Sequence, residues 1–162
     1  MRRRLLGAVL VVAAVAFCAW SGWSYRQSTH SSSVRFAQAR DDVQRAGRQE
    51  IATLNTLDPR QGDAGLNRWL DASTGALHDE LRRTSAQNRQ QAAQAHTSAE
   101  GTVTDLAVTE LDTRAGTAQV IATVQVKLAT AGTERKRFTA VLARTKAGWK
   151  LTSLTAVPVG AK

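Results

Sequence analysis

The chain has 162 residues, 22 Lys and Arg against 13 Asp and Glu, and a formal net charge of +9. That length accommodates one modest domain and an appendage, and it excludes multidomain enzymes with separate cofactor and substrate lobes. With 43% apolar and 22% charged residues the composition is that of a folding chain. The single cysteine, Cys18, excludes an internal disulfide and a cysteine-rich metal centre. With only three histidines besides, neither a structural zinc site nor another metal or cofactor is expected. The basic excess is compatible with nucleic acid, an anionic membrane or topology signals, and its distribution decides among them.

Arg2, Arg3 and Arg4 precede an apolar run from Leu5 to Trp20 that Ser21, Gly22 and Trp23 extend without a charge. The stretch from Leu5 to Trp23, at ~1.5 Å per residue, spans roughly 28 Å, close to the hydrocarbon thickness of a bilayer. Leu5, Leu10, Val15, Trp20 and Trp23 mark this predicted membrane anchor, with Trp20, Trp23 and Tyr25 gathered at its interfacial end. Three arginines before the run and Arg26 after it assign the N-terminus to the cytoplasm and the remaining chain to the outside of the cell membrane. The rival reading is a cleaved signal peptide with Ala14-Val15-Ala16 as its small-residue site. Cleavage there leaves Phe17-Cys18-Ala19-Trp20 as the new start, which is too apolar for a soluble protein. A lipoprotein is disfavoured by Phe17, a large residue ahead of Cys18. The expected organisation is a basic tip and anchor over 1–25, a linker and connector helix over 26–57, and an outer domain over 58–162.

Residues 27–33 are small and polar and read as a linker and helix cap. Phe36, Val43, Ile51 and Leu54, with Ala39 and Gly47, recur at a helical period, predicting a helix over 34–57 with one narrow buried face. It packs on its own sheet or pairs with a partner's helix. Asp58-Pro59 and Gly62 break it. One short helix is expected around Leu66, Trp69 and Leu70, and another starting near Ser73 and Thr74 and holding Leu77 and Leu81. Between Arg82 and Gly101 no Leu, Ile, Val or aromatic residue occurs, leaving an exposed helix or a mobile lid as alternatives. The period then changes to two. Ala118, Val120, Ala122, Val124, Val126 and Leu128 alternate with their neighbours, most of them polar, as a half-buried strand does. Strands over 103–111, 138–143 and 149–157 flank it across short turns. The expected fold is α+β: a transmembrane helix, then helices packed on a curved four-stranded antiparallel sheet that closes over them as a cone.

Catalytic chemistry finds no support in this pattern. His78-Asp79-Glu80 resembles an acid–base cluster, but adjacent residues on a helix point about 100° apart, so a solvated helix face is the better reading. No nucleophile–base–orienter set, glycine-rich phosphate loop or HExxH motif occurs. Arg135-Lys136-Arg137 is the basic triplet beyond the N-terminus, yet no aromatic residues interleave with it, and nucleic acid is not an expected partner. A solvated strand edge is the simpler reading. Trp69 and Trp149 read as core residues.

The whole layout resembles the actinobacterial Mce-associated membrane proteins. The segments carrying the resemblance are Leu70-Asp71-Ala72-Ser73-Thr74-Gly75-Ala76-Leu77, Ala118-Gln119-Val120 and Gly148-Trp149-Lys150-Leu151, with Thr74, Gly75, Gly148 and Trp149 as a family-like structural motif. Arginine in excess over lysine, with abundant alanine, suits a GC-rich source. The resemblance implies an NTF2/SnoaL-like outer domain and a non-enzymatic scaffold of a lipid-import system, with Mce or permease subunits as partners. It transfers no catalytic or ligand-binding residue. The architecture is also similar to VirB8-like conjugation proteins, a scaffold alternative. A third alternative is an NTF2/SnoaL-like domain that binds a lipid in the cone or acts as an isomerase. Without Arg2, Arg3, Arg4 and Arg26, 18 basic residues face 13 acidic ones, so the opening charge is in good part a membrane address over a mildly basic outer surface.

Overall fold

A computed structural model describes residues 15–18, 20–21, 32–94 and 97–158. Arg2, Arg3, Arg4, Leu5, Leu10 and Trp23, and with them most of the predicted anchor, lie outside the described residues. The chain divides into two units between Gln38 and Ala39. In the first, residues 15–18 and 20–21 are helical, with Val15 63% and Trp20 80% exposed. Among the described residues no helix is long and apolar enough to cross a membrane.

Helix α1, Ser32–Leu54, runs through the division between the units. Phe36, expected on its buried stripe, is instead 48% exposed, and the stripe begins at Val43. The helix ends three residues before the expected 57 because polar side chains around its end fold back on the preceding turn. Thr53 Oγ1 donates to Gln49 O, Asn55 Nδ2 to Ile51 O and Thr56 Oγ1 to Ala52 O, at 2.8–2.9 Å. These bonds compete with continued backbone pairing. A 3-10 turn, Pro59–Gln61, follows, capped by Asp58, whose carboxylate accepts from Arg60 N at 3.0 Å.

Three helices complete the layer: α2, Gly62–Ala72; α3, Gly75–Arg83; and α4, Ser85–Gln94. The apolar-poor stretch over 82–101 therefore resolves into the end of α3, a fourth helix and the start of the first strand. Helix α4 lies against α2 and α3. It needs no large apolar residue because Ala92 alone is buried, a close small-residue contact, and Arg89 Nε reaches Asp63 of α2 at 2.5 Å.

The sheet is a four-stranded antiparallel meander in the order β1-β2-β3-β4, with β1 Ala99–Asp112, β2 Thr117–Leu128, β3 Gly132–Thr145 and β4 Gly148–Ala156. Gly116, Gly132 and Gly148 close the turns with positive φ, a region that glycine enters without steric cost. β2 keeps the expected alternation, and Val120, Val124, Ala140 and Leu142 are fully buried. β3 begins six residues earlier than Phe138. Its first half is exposed and polar, but the ladder to β2 pairs Gly132 with Leu128 and Arg137 with Thr123.

Helix α1 packs on this sheet, as one of its two expected arrangements required: Val43 and Ile51 join the strands in one cluster and are fully buried. Two glycines permit the approach. A Cβ on Gly47 would stand 3.0 Å from Leu106 Cδ1, and one on Gly101 would stand 2.6 Å from Asn55 Cβ. Register shifts fall at Thr104 and Thr109 in β1 and beside Thr152 in β4. Such bulges add local twist and reverse the inward–outward phase of the strand.

Candidate functional site

Two of the three segments singled out by their family-like pattern meet at the β4 edge of the sheet, and the third, Ala118-Gln119-Val120, lies in β2. Helix α2 ends at Ala72, and Ser73 leaves it extended. Ser73 forms a parallel bridge with Leu151, and Thr74 N donates to Leu151 O at 2.8 Å. Gly75, with φ +56, opens α3, and a Cβ there would lie 3.8 Å from Thr152 Cγ2. Thr74 precedes α3 as its cap residue, but its side chain makes no cap hydrogen bond. On the strand side, Gly148 turns the β3–β4 hairpin with φ +110, and Trp149 and Leu151 are buried. Ser73 and Thr74 thus cover part of the β4 edge at Leu151.

His78 departs from the solvated face expected of it. It is half-buried and turns back on α2, its Nδ1 3.1 Å from Leu70 O and 3.5 Å from Ser73 Oγ. A carbonyl only accepts, so Nδ1 carries the proton in the Leu70 contact. The buried Ser73 hydroxyl donates to the same carbonyl at 3.0 Å. Both groups therefore cap the end of α2, and the serine proton is committed to a backbone oxygen rather than offered to the imidazole. Asp79 and Glu80 are exposed, and Glu80 pairs with Arg83 one turn on. His30 and His96 lie outside the described residues. Among the described residues no group of three or more His, Cys, Asp or Glu is placed to hold a metal ion.

The site that sequence reasoning missed is Glu50. It is 8% exposed, and its Oε1 accepts from Lys150 Nζ at 2.8 Å. Glu50 stands seven residues after Val43, on the same helix stripe as Gly47 and Ile51. That position within an apolar stripe is the one local hint, since its partner is a hundred residues away. The pair joins α1 to β4 beside an open groove of about 500 Å³ formed by residues 42–50 of α1 and the β3–β4 turn.

A second groove, of about 590 Å³, includes Arg48, Leu106, Phe138 and Val157 in its walls. Arg135 and Arg137 border a smaller one with Thr104, Asp105 and Thr123. Lys136, between these arginines in sequence, reaches Glu134 at 3.3 Å. Trp149 is buried as expected, whereas Trp69 is half-buried and donates from Nε1 to Thr56 O at 3.1 Å. The strand faces offered by the sequence to an acyl chain pack instead on Val43 and Ile51.

The family model described as uncharacterized protein Rv1363c/MT1408-like matches residues 4–157. No curated protein matches. Among solved structures, the chain is similar to CagV, a VirB8 homolog of the type IV secretion system from Helicobacter pylori strain 26695. The identity is 11%, the match covers 74% of this chain and 99% of that chain, and the TM-score is 0.57. It is also similar to an IcmL-like type IV secretion system protein from Legionella pneumophila, at 13% identity, 76% and 95% coverage and a TM-score of 0.58. VirB8 of Agrobacterium tumefaciens matches at 12% identity, 76% and 96% coverage and a TM-score of 0.54. These likenesses establish the fold, helices packed on a four-stranded antiparallel sheet of the VirB8/NTF2-like type.

Proposed function

The chain belongs to the Rv1363c/MT1408-like family, and we propose that it is a non-enzymatic, membrane-anchored scaffold that binds other proteins of the cell envelope as a VirB8-like module. The observation that carries this reading is the fold, shared with VirB8-type proteins over nearly their whole resolved length. The uncharged run from Leu5 to Trp23 supports a single-pass anchor, with a cytoplasmic N-terminus and the 58–162 domain outside. A connector over 26–57 joins the two. No aromatic residue interleaves within Arg135-Lys136-Arg137, which supports protein rather than nucleic-acid partners.

The partner system has two readings. The fold favours a conjugation or secretion channel. The contact between the Ser73–Thr74 segment and Leu151 unites two of the three stretches that resemble Mce-associated proteins, which keeps Mce or permease subunits of a lipid importer as the second. An acyl chain within the sheet has no part in the proposal, because α1 occupies that face. Fold alone does not assign the partner. Affinity purification of the tagged full chain from detergent-extracted membranes is the test. Recovery of channel components supports the first reading, and recovery of Mce or permease subunits the second. A chain that is recovered alone, at native expression and after crosslinking, defeats the scaffold proposal.

A further inference from the structure

The sheet has one covered face and one open one. Residues opposite each other in a ladder share a face, and the row Leu106–Ala122–Phe138 lies on the face that α1 covers. The rows on either side of it turn away: Asp105–Thr123–Arg137 and Ala107–Ile121–Thr139, with Glu110–Gln119–Val141 beyond. Ile121 is 48% exposed in the middle of this open face. Every other outward residue of β2 is Thr, Gln or Lys, and the small Ala107 and Thr139 flank Ile121 in its row.

Charge is divided across the open face by strand. β1 carries Glu100, Asp105, Glu110 and Asp112 and no Lys or Arg. The outward positions of β3 carry Arg135 and Arg137 and no acid, because Glu134 stands in register with the buried Val126 and pairs with Lys136. Two of the β1 acids are satisfied locally. Glu100 stands opposite Lys127, and Asp112 accepts from the backbone N–H groups of Arg114 and Ala115. Asp105 and Arg137 occupy the two ends of one row with Thr123 between them. Both are exposed, and neither forms an ion pair among the described residues.

We propose that two copies of the second unit pack their open sheet faces together about a two-fold axis that runs along β2. Such an axis lays β1 of one copy over β3 of the other, so that Asp105 meets Arg137 twice and Ile121 meets its own counterpart on the axis. A two-fold across the strands would instead lay β1 over β1 and set acid against acid. Facing sheets stand about 10 Å apart and cross at about 30°, a gap that an arginine and an aspartate close between them. Glu110 comes over Val141 and Ser153 of the second copy, whose serine hydroxyl can donate to it. β2 has 12 residues. At ~3.3 Å per residue and ~4.8 Å per strand, β1 to β3 form a plate of about 40 by 15 Å, or about 600 Å² per copy. Burying both plates reaches the ~1,200 Å² at which stable interfaces begin, so the dimer is a reversible one. A foreign partner would have to reproduce both charges at the same spacing, whereas a second copy does so by symmetry. The inference depends neither on the membrane anchor nor on the choice of envelope partner.

The test co-expresses two differently tagged forms of the full chain, extracts them in mild detergent and recovers one through the other. The wild-type pair should co-purify. Asp105→Arg in both forms, or Arg137→Asp in both, turns two attractions into two repulsions and should cut recovery about tenfold. One form with Asp105→Arg and the other with Arg137→Asp regains both contacts and should regain wild-type recovery, which no effect within a single chain produces. Thermal unfolding checks that each variant is folded. Ile121→Lys, on an exposed position, sets two cations against each other on the axis and gives a second, independent loss. Absence of co-purification of the wild-type pair overturns the proposal. So does recovery that the single reversals and Ile121→Lys leave intact, which places self-association elsewhere, the anchor included. A mixed pair that stays apart refutes the laying of β1 on β3. A foreign protein retained by the wild type and released by Ile121→Lys, with no second tag recovered, assigns the face to that protein and overturns the proposal as well.

Discussion

The hydroxyl of Thr152 donates to the carbonyl of Val141 at 3.1 Å, across the point where β3 and β4 slip register. Both other register shifts repeat the arrangement: Thr104 Oγ1 donates to Thr123 O at 3.3 Å and Thr109 Oγ1 to Gln119 O at 3.2 Å. A bulge leaves one residue unpaired in the ladder. In each of these three a threonine hydroxyl supplies a bond to the neighbouring strand. Thr152→Val keeps the shape and the β-branch and removes that bond. It is expected to cost about 1 kcal/mol in urea unfolding. Thr104→Val and Thr109→Val, on exposed positions, should stay below about 0.5 kcal/mol. Equal losses at all three sites would mean that solvent does not replace the bonds at the exposed ones.

The Glu50–Lys150 pair predicts an asymmetric cycle. Lys150→Met leaves a buried carboxylate without its partner and should destabilise the fold by about 3 kcal/mol, the lower end for a broken buried pair. Lys150 keeps some exposure, which argues for that lower end. Adding Glu50→Gln to Lys150→Met removes the orphaned charge and should recover most of the loss. Chemical denaturation of the wild type, the two single variants and the double variant gives the coupling directly.

Two glycines where α1 meets the sheet, Gly47 of the helix and Gly101 of β1, should respond differently to alanine. At Gly101 the new Cβ meets Asn55 Cβ and, at 3.0 Å, the Asn55 backbone. The end of α1 would have to move, so Gly101→Ala should cost about 2 kcal/mol, as overpacking does. At Gly47 the nearest atom is the end of the Leu106 side chain, which can rotate away. The helix also gains up to about 1 kcal/mol in propensity. Gly47→Ala is therefore expected near neutral. Thermal unfolding of the two variants side by side tests the difference.

Asp58 and Asp112 should titrate below the usual carboxylate range. The backbone N–H of Arg60, then the Gln61 side chain, favours the ionised form of Asp58. The N–H groups of Ala115 and then Arg114 do the same for Asp112. A folded-state value lowered below the unfolded one of about 3.9 stabilises the fold fully above that pH. The contribution is lost as pH falls through the depressed folded-state value. Carboxyl-carbon NMR should place both midpoints below ordinary aspartates. Asp112→Ala should flatten the part of the acid limb that this residue contributes, and an unchanged limb would refute the assignment.

Much of the fold was legible because periodicity is a local property. The alternation of Ala118 to Leu128 determined which face of β2 is buried, and Val43, Gly47 and Ile51 determined the inner stripe of α1. The turns at Gly116, Gly132 and Gly148 determined an antiparallel meander. Even the bulges left a trace: inward residues Val103, Leu106, Val108 and Leu111 are spaced three, two and three apart, where an unbroken strand keeps two. The tertiary structure alone decided what depends on a partner distant in sequence. The polar residues 132–137 are a strand because β2 offers them a ladder, and α4 packs through Ala92 because α2 and α3 come close. Ser73 and Thr74 meet Leu151, and Glu50 is buried rather than solvated, because Lys150 of β4 arrives beside it. A residue's own neighbours set its local conformation, whereas register, edge covering and charge pairing are set by whichever segment the folded chain places opposite.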